Sequence, residues 1–360
     1  MKILILANND VGLYQFRKEL IKKFLENHEV YISLPDGELV NPLVEAGCKF
    51  IDTPVDRRGI NPVTDFGLVL NYHKIIKKIK PDIVITYTIK PNVYGGFVCK
   101  NLKTNYAVNI TGLGTAFQNE GLLKKIVTKL YKIACKKAKV VFFENAENMQ
   151  IFVDSGIISK TQSHLLNGAG VNLEHYYFTE YPAKSDTTKF LFVGRIMAEK
   201  GINELFEAMD RLYDEGFNCS LDVVGEYEEN YKAVIEKYSK KGWLNFHGFQ
   251  KDVRPFIEDC NCFVLPSWHE GMANTNLECS SMGRPIITSN IHGCLEAVVE
   301  NVSGFLCEPK NSQNLYEQMK KFAALPYETK AEMGKQARKH MEDVFDKNKV
   351  VTETVKELGI

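Results

Sequence analysis

Two carboxylates and two cations in the second half of this chain have the types and spacing to hold an anionic ligand rich in hydroxyls. Glu270 and Glu278 stand with seven residues between them in W-H-E-G-M-A-N-T-N-L-E, and upstream V-G-R-I-M-A-E-K-G holds Gly194, Arg195, Lys200 and Gly201. The apolar run C-F-V-L-P (262–266) before the glutamates predicts a strand end, then a polar turn carrying Glu270, then a helix carrying Glu278. The cations follow a second apolar run, K-F-L-F-V (189–193), at another strand-to-helix crossing. Both crossings are expected at the carboxyl edge of one parallel sheet, where open α/β folds bind ligands. Cations, backbone N–H groups at a helix start and carboxylates that accept from hydroxyls together describe a site for a nucleotide diphosphate carrying a sugar.

The elements that must position these groups come in two series. In the first half K-I-L-I-L-A (2–7), V-Y-I-S-L (30–34), D-I-V-I-T-Y (82–87), Y-A-V-N-I (106–110) and K-V-V-F-F (139–143) read as buried strands, with helical patterns over 14–27, 64–80 and 119–137. After a polar passage at 181–188 the alternation restarts with strands at 189–193, 220–224, 262–266 and 285–288. Such alternation predicts right-handed βαβ units and parallel sheets. The expected organisation is an N-terminal domain over 1–172, a linker over 173–188, a second α/β domain over 189–345 and a C-terminal helix over 346–360. Helical stretches at 311–324, 327–344 and 347–358 carry no motif; they are expected to cover a sheet or to pack back on the first domain.

Composition narrows the function class. The chain has 360 residues, 44% hydrophobic and 25% charged, with a formal net charge of zero, which predicts a soluble globular protein of two domains. Its opening apolar run is far too short to cross a bilayer and carries no small-residue cleavage site, so neither a secretion signal nor a membrane span is expected. Nine scattered cysteines without a C-x-x-C pair predict reduced thiols, a cytoplasmic location and no metal site. The charge is unevenly spread: cations exceed acids by about six in residues 1–180 and fall short by about six in the rest, a pattern that bears on partners. Much of the excess lies in residues 122–139, where helical spacing puts Lys125, Lys129, Lys132 and Lys136 on one face and Leu123, Ile126, Leu130 and Ile133 in an apolar stripe. That lysine row is either a solvated helix face or a surface for anionic headgroups or a lipid-linked diphosphate. Aromatic and cationic residues do not interleave, so no nucleic-acid partner is expected.

The ordered motifs of residues 190–300 resemble glycosyltransferase family 4, the retaining group 1 enzymes of the GT-B fold. The run is V-G-R-x4-K-G, V-V-G ending at Gly225, F-H-G-F-x-x-D-V with His247 and Asp252, E-x7-E, G-R-P-I-I-T-S from Gly283, and H-G-C-L-E-A-V with Gly293 and Glu296. In the first half T-Y-T-I-K-P-N-V-Y-G-G (86–96) and N-I-T-G-L-G-T (109–115) resemble the subgroup that builds bacterial surface polysaccharides or lipid-linked oligosaccharides. The resemblance implies two Rossmann-like α/β domains facing across a cleft, with the C-terminal helix returning to the first. It further implies a hexose or N-acetylhexosamine transferred from a UDP-sugar to a saccharide on undecaprenyl diphosphate, at the inner face of the cytoplasmic membrane. The nucleotide-sugar is then a substrate, and no cofactor is expected. Relatives of other families hold the diphosphate through a metal on Asp-x-Asp; this chain has no Asp-x-Asp, and the resemblance gives the metal's role to Arg195 and Lys200.

By the same resemblance Glu278 takes the ribose hydroxyls, Glu270 contacts the donor sugar or steadies charge on its ring, and Gly194, Gly225 and the turn Gly271, Met272, Ala273, Asn274 and Thr275 line the donor site. Glu270, Arg195 and Lys200 are the candidate catalytic residues. Glu296 either caps a helix or touches the phosphate surroundings. Tyr227 stands where relatives carry a second glycine and bears on the base pocket. On the acceptor side, Asn8 or Asp10 could bind a hydroxyl and Gly12 could admit backbone close to a ligand, with plain turn chemistry as the other reading. Thr111 and Gly112 form a loop at a strand end. Lys90, where many relatives carry a histidine, is read as a ligand of phosphate or acceptor diphosphate, the other reading being a surface lysine; His73 is an exposed helix residue. Competing functions are a GT-B epimerase or hydrolase acting on the nucleotide-sugar, and a two-lobed sugar-binding module without catalysis.

Overall fold

A computed structural model describes residues 1–56, 61–114, 117 and 121–360. The chain divides into two compact units, one of Met1–Ala169 with Lys347–Ile360 and one of Gly170–Asp346. The first runs β1 (Lys2–Leu6), α1 (Asp10–Leu25), β2 (Glu29–Leu34), α2 (Val40–Glu45), β3 (Lys49–Asp52), α3 (Pro62–Ile79), β4 (Ile83–Tyr87), α4 (Gly96–Leu102), β5 (Tyr106–Ile110), α5 (Leu122–Cys135), β6 (Val140–Phe143), α6 (Ala146–Asp154) and β7 (Ser163–Leu165). Its seven strands are parallel in the order β3-β2-β1-β4-β5-β6-β7. Two apolar layers sandwich this sheet. One joins Leu68, Tyr72 and Ile76 of α3 to Val98 and Cys99 of α4 and Tyr131 and Cys135 of α5. The other joins Leu13, Ile21 and Phe24 of α1 to Ile3, Ile5, Ile32 and Ile85. Strands covered on both faces read as continuous apolar runs, which is why I-L-I-L and I-V-I-T stand out in the sequence.

The second unit runs β8 (Thr188–Val193), α7 (Ile202–Asp214), β9 (Cys219–Val224), α8 (Lys232–Ser239), β10 (Leu244–Gly248), α9 (Arg254–Asp259), β11 (Cys262–Leu265), α10 (Asn274–Ser281), β12 (Ile286–Ser289), β13 (Gly304–Cys307), α11 (Ser312–Ala323) and α12 (Tyr327–His340). Its six strands are parallel in the order β10-β9-β8-β11-β12-β13. The chain builds outward from β8 on one side, then returns to start again at β11 on the other, so β8 and β11 flank the topological switch point. The last helix, α13 (Lys347–Leu358), belongs to the first unit: it packs on α1, and the Lys347 ammonium donates to the Phe16 carbonyl at 3.2 Å.

Four strands go beyond the sequence expectation: β3, β7, β10 and β13. All four are edge strands. Each is short or carries polar residues on the uncovered side, as in K-F-I-D and L-N-F-H-G, so the apolar run that announces a central strand is missing. The stretch 173–188, expected as a linker, is instead built into the second unit. Thr179 donates both its N–H and its hydroxyl to the Met282 carbonyl, and the buried Tyr181 hydroxyl donates to the Asn261 carbonyl at 2.9 Å.

The arginine of G-R-P explains that attachment. Arg284 is fully buried, with no carboxylate among the described residues paired to it; its guanidinium donates to the carbonyls of Thr179, Glu180, Ile257, Glu258, Met282 and Gly283 and to the Thr179 hydroxyl at 2.8–3.2 Å. Burial pushes its pKa down, yet the fork stays charged because so many carbonyl dipoles point at it. Arg284→Met should therefore destabilise the protein by more than about 3 kcal/mol, because several buried carbonyls lose their donor at once. Arg284→Lys should recover only part of this, as read by denaturant unfolding of both variants beside wild type.

Candidate functional site

In the second unit the loops after β8 and β11 leave adjacent strands at the switch point, and they bring Lys200 and Glu270 together. The Lys200 ammonium donates to Glu270 Oε1 at 2.5 Å, and the Ser267 hydroxyl donates to the same oxygen at 2.7 Å. Both side chains of the ion pair are mostly buried, and Ser267 is fully so. Ser267 was not anticipated; its signal is its place in P-S-W-H-E, three residues before Glu270. Arg195 is looser. Its side chain is half exposed and reaches Glu228 at 3.5 Å.

Backbone contacts hold these loops in register. Gly201 has φ of +71°, and a Cβ there would stand 2.0 Å from the Pro266 carbonyl oxygen, so the β8 loop lies directly against the β11 loop. The Trp268 N–H donates to the Glu199 carbonyl at 3.0 Å, and its indole N–H to Glu204 at 3.1 Å. Gly225, at the end of β9 with φ of +153°, presses on the Gly194 carbonyl, where a Cβ would fall 1.8 Å away. These approaches give a physical reason for glycine in K-G and V-V-G.

The turn between Glu270 and α10 is supplied from the next loop. The Ala273 N–H donates to the Gly293 carbonyl at 2.7 Å, so that donor, expected to face the ligand, is used within the protein. Met272 and Ala273 are buried and Met272 is part of the unit's core. The donors that remain at the helix start are the first-turn N–H groups of Asn274 and Thr275, which have no intrahelical partner. Glu296 takes the structural alternative: its carboxylate accepts from the Gly293 N–H and meets His292 Nδ1, both at 2.7 Å. Glu278 lies in the second turn of α10, half-buried, and the Tyr176 hydroxyl bonds it. Burial and then this carboxylate raise the Tyr176 pKa, so the phenol stays a donor. Tyr176 is about a hundred positions away in sequence and gave no signal. His247 pairs with Asp222 at 2.6 Å and packs on Phe256, Asp252 holds Arg254 at 2.8 Å, and the Tyr227 ring packs tilted against Phe246. Burial pushes the thiols of Cys262, Cys279 and Cys294 far above their usual range, which removes them as nucleophiles.

In the first unit Asn8, Lys90, Thr111 and Gly112 all follow carboxyl ends of β1, β4 and β5. Several of the expected ligand groups are already engaged. Lys90 pairs with the buried Asp65 at 2.7 Å, and the Tyr94 hydroxyl holds the other oxygen of Asp65 at 2.8 Å, so Lys90 is neither a plain surface lysine nor an unengaged phosphate ligand. Asp10 accepts from the Leu39 N–H at 2.9 Å, and Asn8 Oδ1 accepts from the Asn9 amide at 2.7 Å. Asn9 is the N-cap of α1, its side chain accepting from the Gly12 N–H at 2.6 Å, which places Gly12 inside the helix start. Thr111 and Gly112 are half-buried. Thr88, with φ of +72°, is a β-branched residue in a left-handed conformation at the end of β4, a backbone strain that sequence reading passed over. His73 lies in α3, half-buried rather than exposed.

Comparison with known proteins agrees with this geometry. Residues 177–340 match the model of glycosyl transferases group 1, and residues 2–145 match glycosyl transferase 4-like. The chain is a group 1 glycosyltransferase of the GT-B fold. Among solved structures, a glycosyltransferase from Rickettsia africae superposes with TM-score 0.82 at 19% identity over 99% of this chain and 97% of that one. Anabaena HepE in complex with UDP and glucose superposes with TM-score 0.83 at 16% identity over 100% and 99%. A relative from Campylobacter jejuni, N,N'-diacetylbacillosaminyl-diphospho-undecaprenol alpha-1,3-N-acetylgalactosaminyltransferase, is 25% identical over 89% of this chain and 88% of its own length. The Escherichia coli UDP-Gal:alpha-D-GlcNAc-diphosphoundecaprenol alpha-1,3-galactosyltransferase is 28% identical over 79% and 78%.

For this glycosyltransferase, Gly201→Ala should cost about 2 kcal/mol or more, since alanine meets both the left-handed backbone and the Pro266 carbonyl. Turnover should fall further than stability accounts for, because the Lys200–Glu270 pair rides on that loop; thermal melts and initial rates on the same preparation separate the two effects.

Proposed function

We propose that this enzyme is a retaining hexosyltransferase that moves a hexose or N-acetylhexosamine from a UDP-sugar to a saccharide carried on undecaprenyl diphosphate, in the making of a bacterial surface polysaccharide or glycan. The observation that carries the reading is the Lys200–Glu270 pair at the switch point, in the loop that leads into α10, with the exposed Arg195 in the same loop as Lys200. The acceptor class is supported by the names of the Campylobacter and Escherichia relatives, both of which act on undecaprenyl diphosphate-linked saccharides. It works at the cytoplasmic face of the membrane, attached peripherally through its basic first unit.

In this reading Lys200 and Arg195 stabilise the charge that gathers on the leaving diphosphate, the task a metal performs in other transferases. Glu278 takes the ribose hydroxyls. Glu270 has Oε1 committed to Lys200 and Ser267, and Oε2 serves the donor sugar. The bond between the sugar's anomeric carbon and the β-phosphate oxygen breaks with its electron pair going to the phosphate. The acceptor hydroxyl oxygen bonds the same carbon from the same face, and its proton passes to the departing phosphate.

A panel of UDP- and GDP-sugars, turned over with EDTA present against undecaprenyl-diphosphate-linked mono- and disaccharides, tests this. Transfer by wild type is expected, with kcat lowered by about 10²–10³ in Arg195→Ala and Glu270→Ala. Donor consumed without acceptor, or rates indifferent to both substitutions, would point to the epimerase or hydrolase reading. The anomeric configuration of the product is a separate check by NMR. An α-linked donor should give an α-linked product, and a β-linked product would end the retaining assignment.

A further inference from the structure

Helix α5 presents three faces. At about 100° per residue, Tyr131, Ala134 and Cys135 form one seam, and these are its buried residues, with Tyr131 packed against Phe117 and Phe152. The apolar stripe identified in the sequence is not that seam. Leu122, Leu123, Ile126, Leu130 and Ile133 are 37–75% exposed and lie on the side of the helix away from the sheet. Lys125, Lys129, Lys132 and Lys136 form a third row adjoining the exposed one. Single exposed aliphatic residues are ordinary, but five in a row along one helix are not.

A second such row lies in the same helix layer. Val63, Phe66 and Leu70 of α3, at spacing i, i+3 and i+7, are 47–80% exposed, and Phe97 of α4 is exposed with the Lys100 ammonium over its ring. The helices α3, α4 and α5 share one apolar layer against the sheet. On the opposite layer, α1 and α13 bury their apolar residues against each other and the sheet.

We propose that the outer surface of α5, continued by α3, docks on an anionic lipid bilayer, with Leu122, Ile126, Leu130 and Ile133 inserted at the boundary of headgroups and acyl chains. The inference deepens the proposed function and rests on it for the purpose of such docking, which is access to an acceptor held in the membrane. Charge selects the occupant. Residues 121–143 hold seven lysines and no acidic residue, so the ridge is bordered by cations on a face that complements lipid phosphates. A second copy of this chain on the same face would set cationic rows against each other. The helix lies in the plane of the interface, since its 14 residues span only about 21 Å at 1.5 Å per residue, and no helix among the described residues is long and apolar enough to cross a membrane.

The full chain and an Ile126→Ser/Leu130→Ser variant, checked by circular dichroism, would be floated with vesicles of phosphatidylcholine alone or mixed with phosphatidylglycerol. Wild type should float with the anionic vesicles, and the variant, its charge unchanged, should bind them at least about tenfold less. Equal binding of the two proteins, or no binding by wild type, would overturn the proposal. So would light scattering that shows a wild-type dimer and a monomeric variant, since a second copy would then cover the ridge. Rates on a short-chain, water-soluble diphospho-saccharide should be equal for the two proteins, while transfer to vesicle-borne acceptor falls in the variant. Wild-type binding without transfer to either acceptor would leave the docking face standing and remove the proposed function instead.

Discussion

Everything at the candidate donor site depends on how closely two strand-end loops approach at the switch point between β8 and β11. Adjacent parallel strands lie about 4.8 Å apart, and the loops that leave them must diverge unless something small lets them touch. Gly201 is that element: its missing side chain lets the β8 loop lie against the Pro266 carbonyl. The contact brings Lys200, one residue before the glycine, over Glu270, four residues beyond the proline. Ser267, Trp268 and Gly293 then fix the remaining freedom of the second loop through hydrogen bonds rather than apolar packing. A polar site next to a core of Phe190, Phe192, Val264 and Leu265 is thereby held rigid without exposing that core.

The Lys200–Glu270 pair has a cost as well as a gain. Taking an ammonium and a carboxylate largely out of water is unfavourable, and their mutual attraction only about offsets it unless further hydrogen bonds help. Ser267 supplies one such bond, to the oxygen that Lys200 already holds. The carboxylate is thus anchored on one side and able to accept on the other. Arg195, half exposed and 3.5 Å from Glu228, is of the opposite kind, a cation open to solvent. In the proposed reaction, a buried charge and an exposed one would divide the work of holding a diphosphate while a bond to it breaks.

The central strands and most helices were legible because their residues are covered on both sides and the sequence must say so in unbroken apolar runs. The motifs of the second unit were legible for a related reason: glycines at close backbone contacts and charges at strand ends tolerate few substitutes. What escaped was set by tertiary placement. The edge strands β3, β7 and β10 are largely uncovered, and β13, though buried, is only four residues long. Ser267 and Tyr176 matter only because of the carboxylates they meet, and Tyr176 lies far from Glu278 along the chain. Lys90 and Asp10 carry suitable chemistry at the expected edge, but Asp65 and the Leu39 N–H already occupy them. Residue type and position can nominate a ligand group; only the fold shows whether the protein has used it first.

Helix α5 shows the same limit from the other side. Periodicity reports that a helix has an apolar stripe but not which medium the stripe faces, and the usual inference that it faces the core assumes water is the only alternative. Here the true inward seam is built from a tyrosine, an alanine and a cysteine, whereas the stripe with the larger aliphatic side chains points outward. A small residue suits the inward seam at Ala134 because α5 lies close to α4 there: a Cβ added to Gly96 would stand 3.0 Å from the Ala134 carbonyl oxygen. The presence of the larger aliphatic side chains on the outer side, next to a row of lysines in a span of 121–143 without an acidic residue, is the charge and hydropathy pattern on which the proposed lipid interface rests.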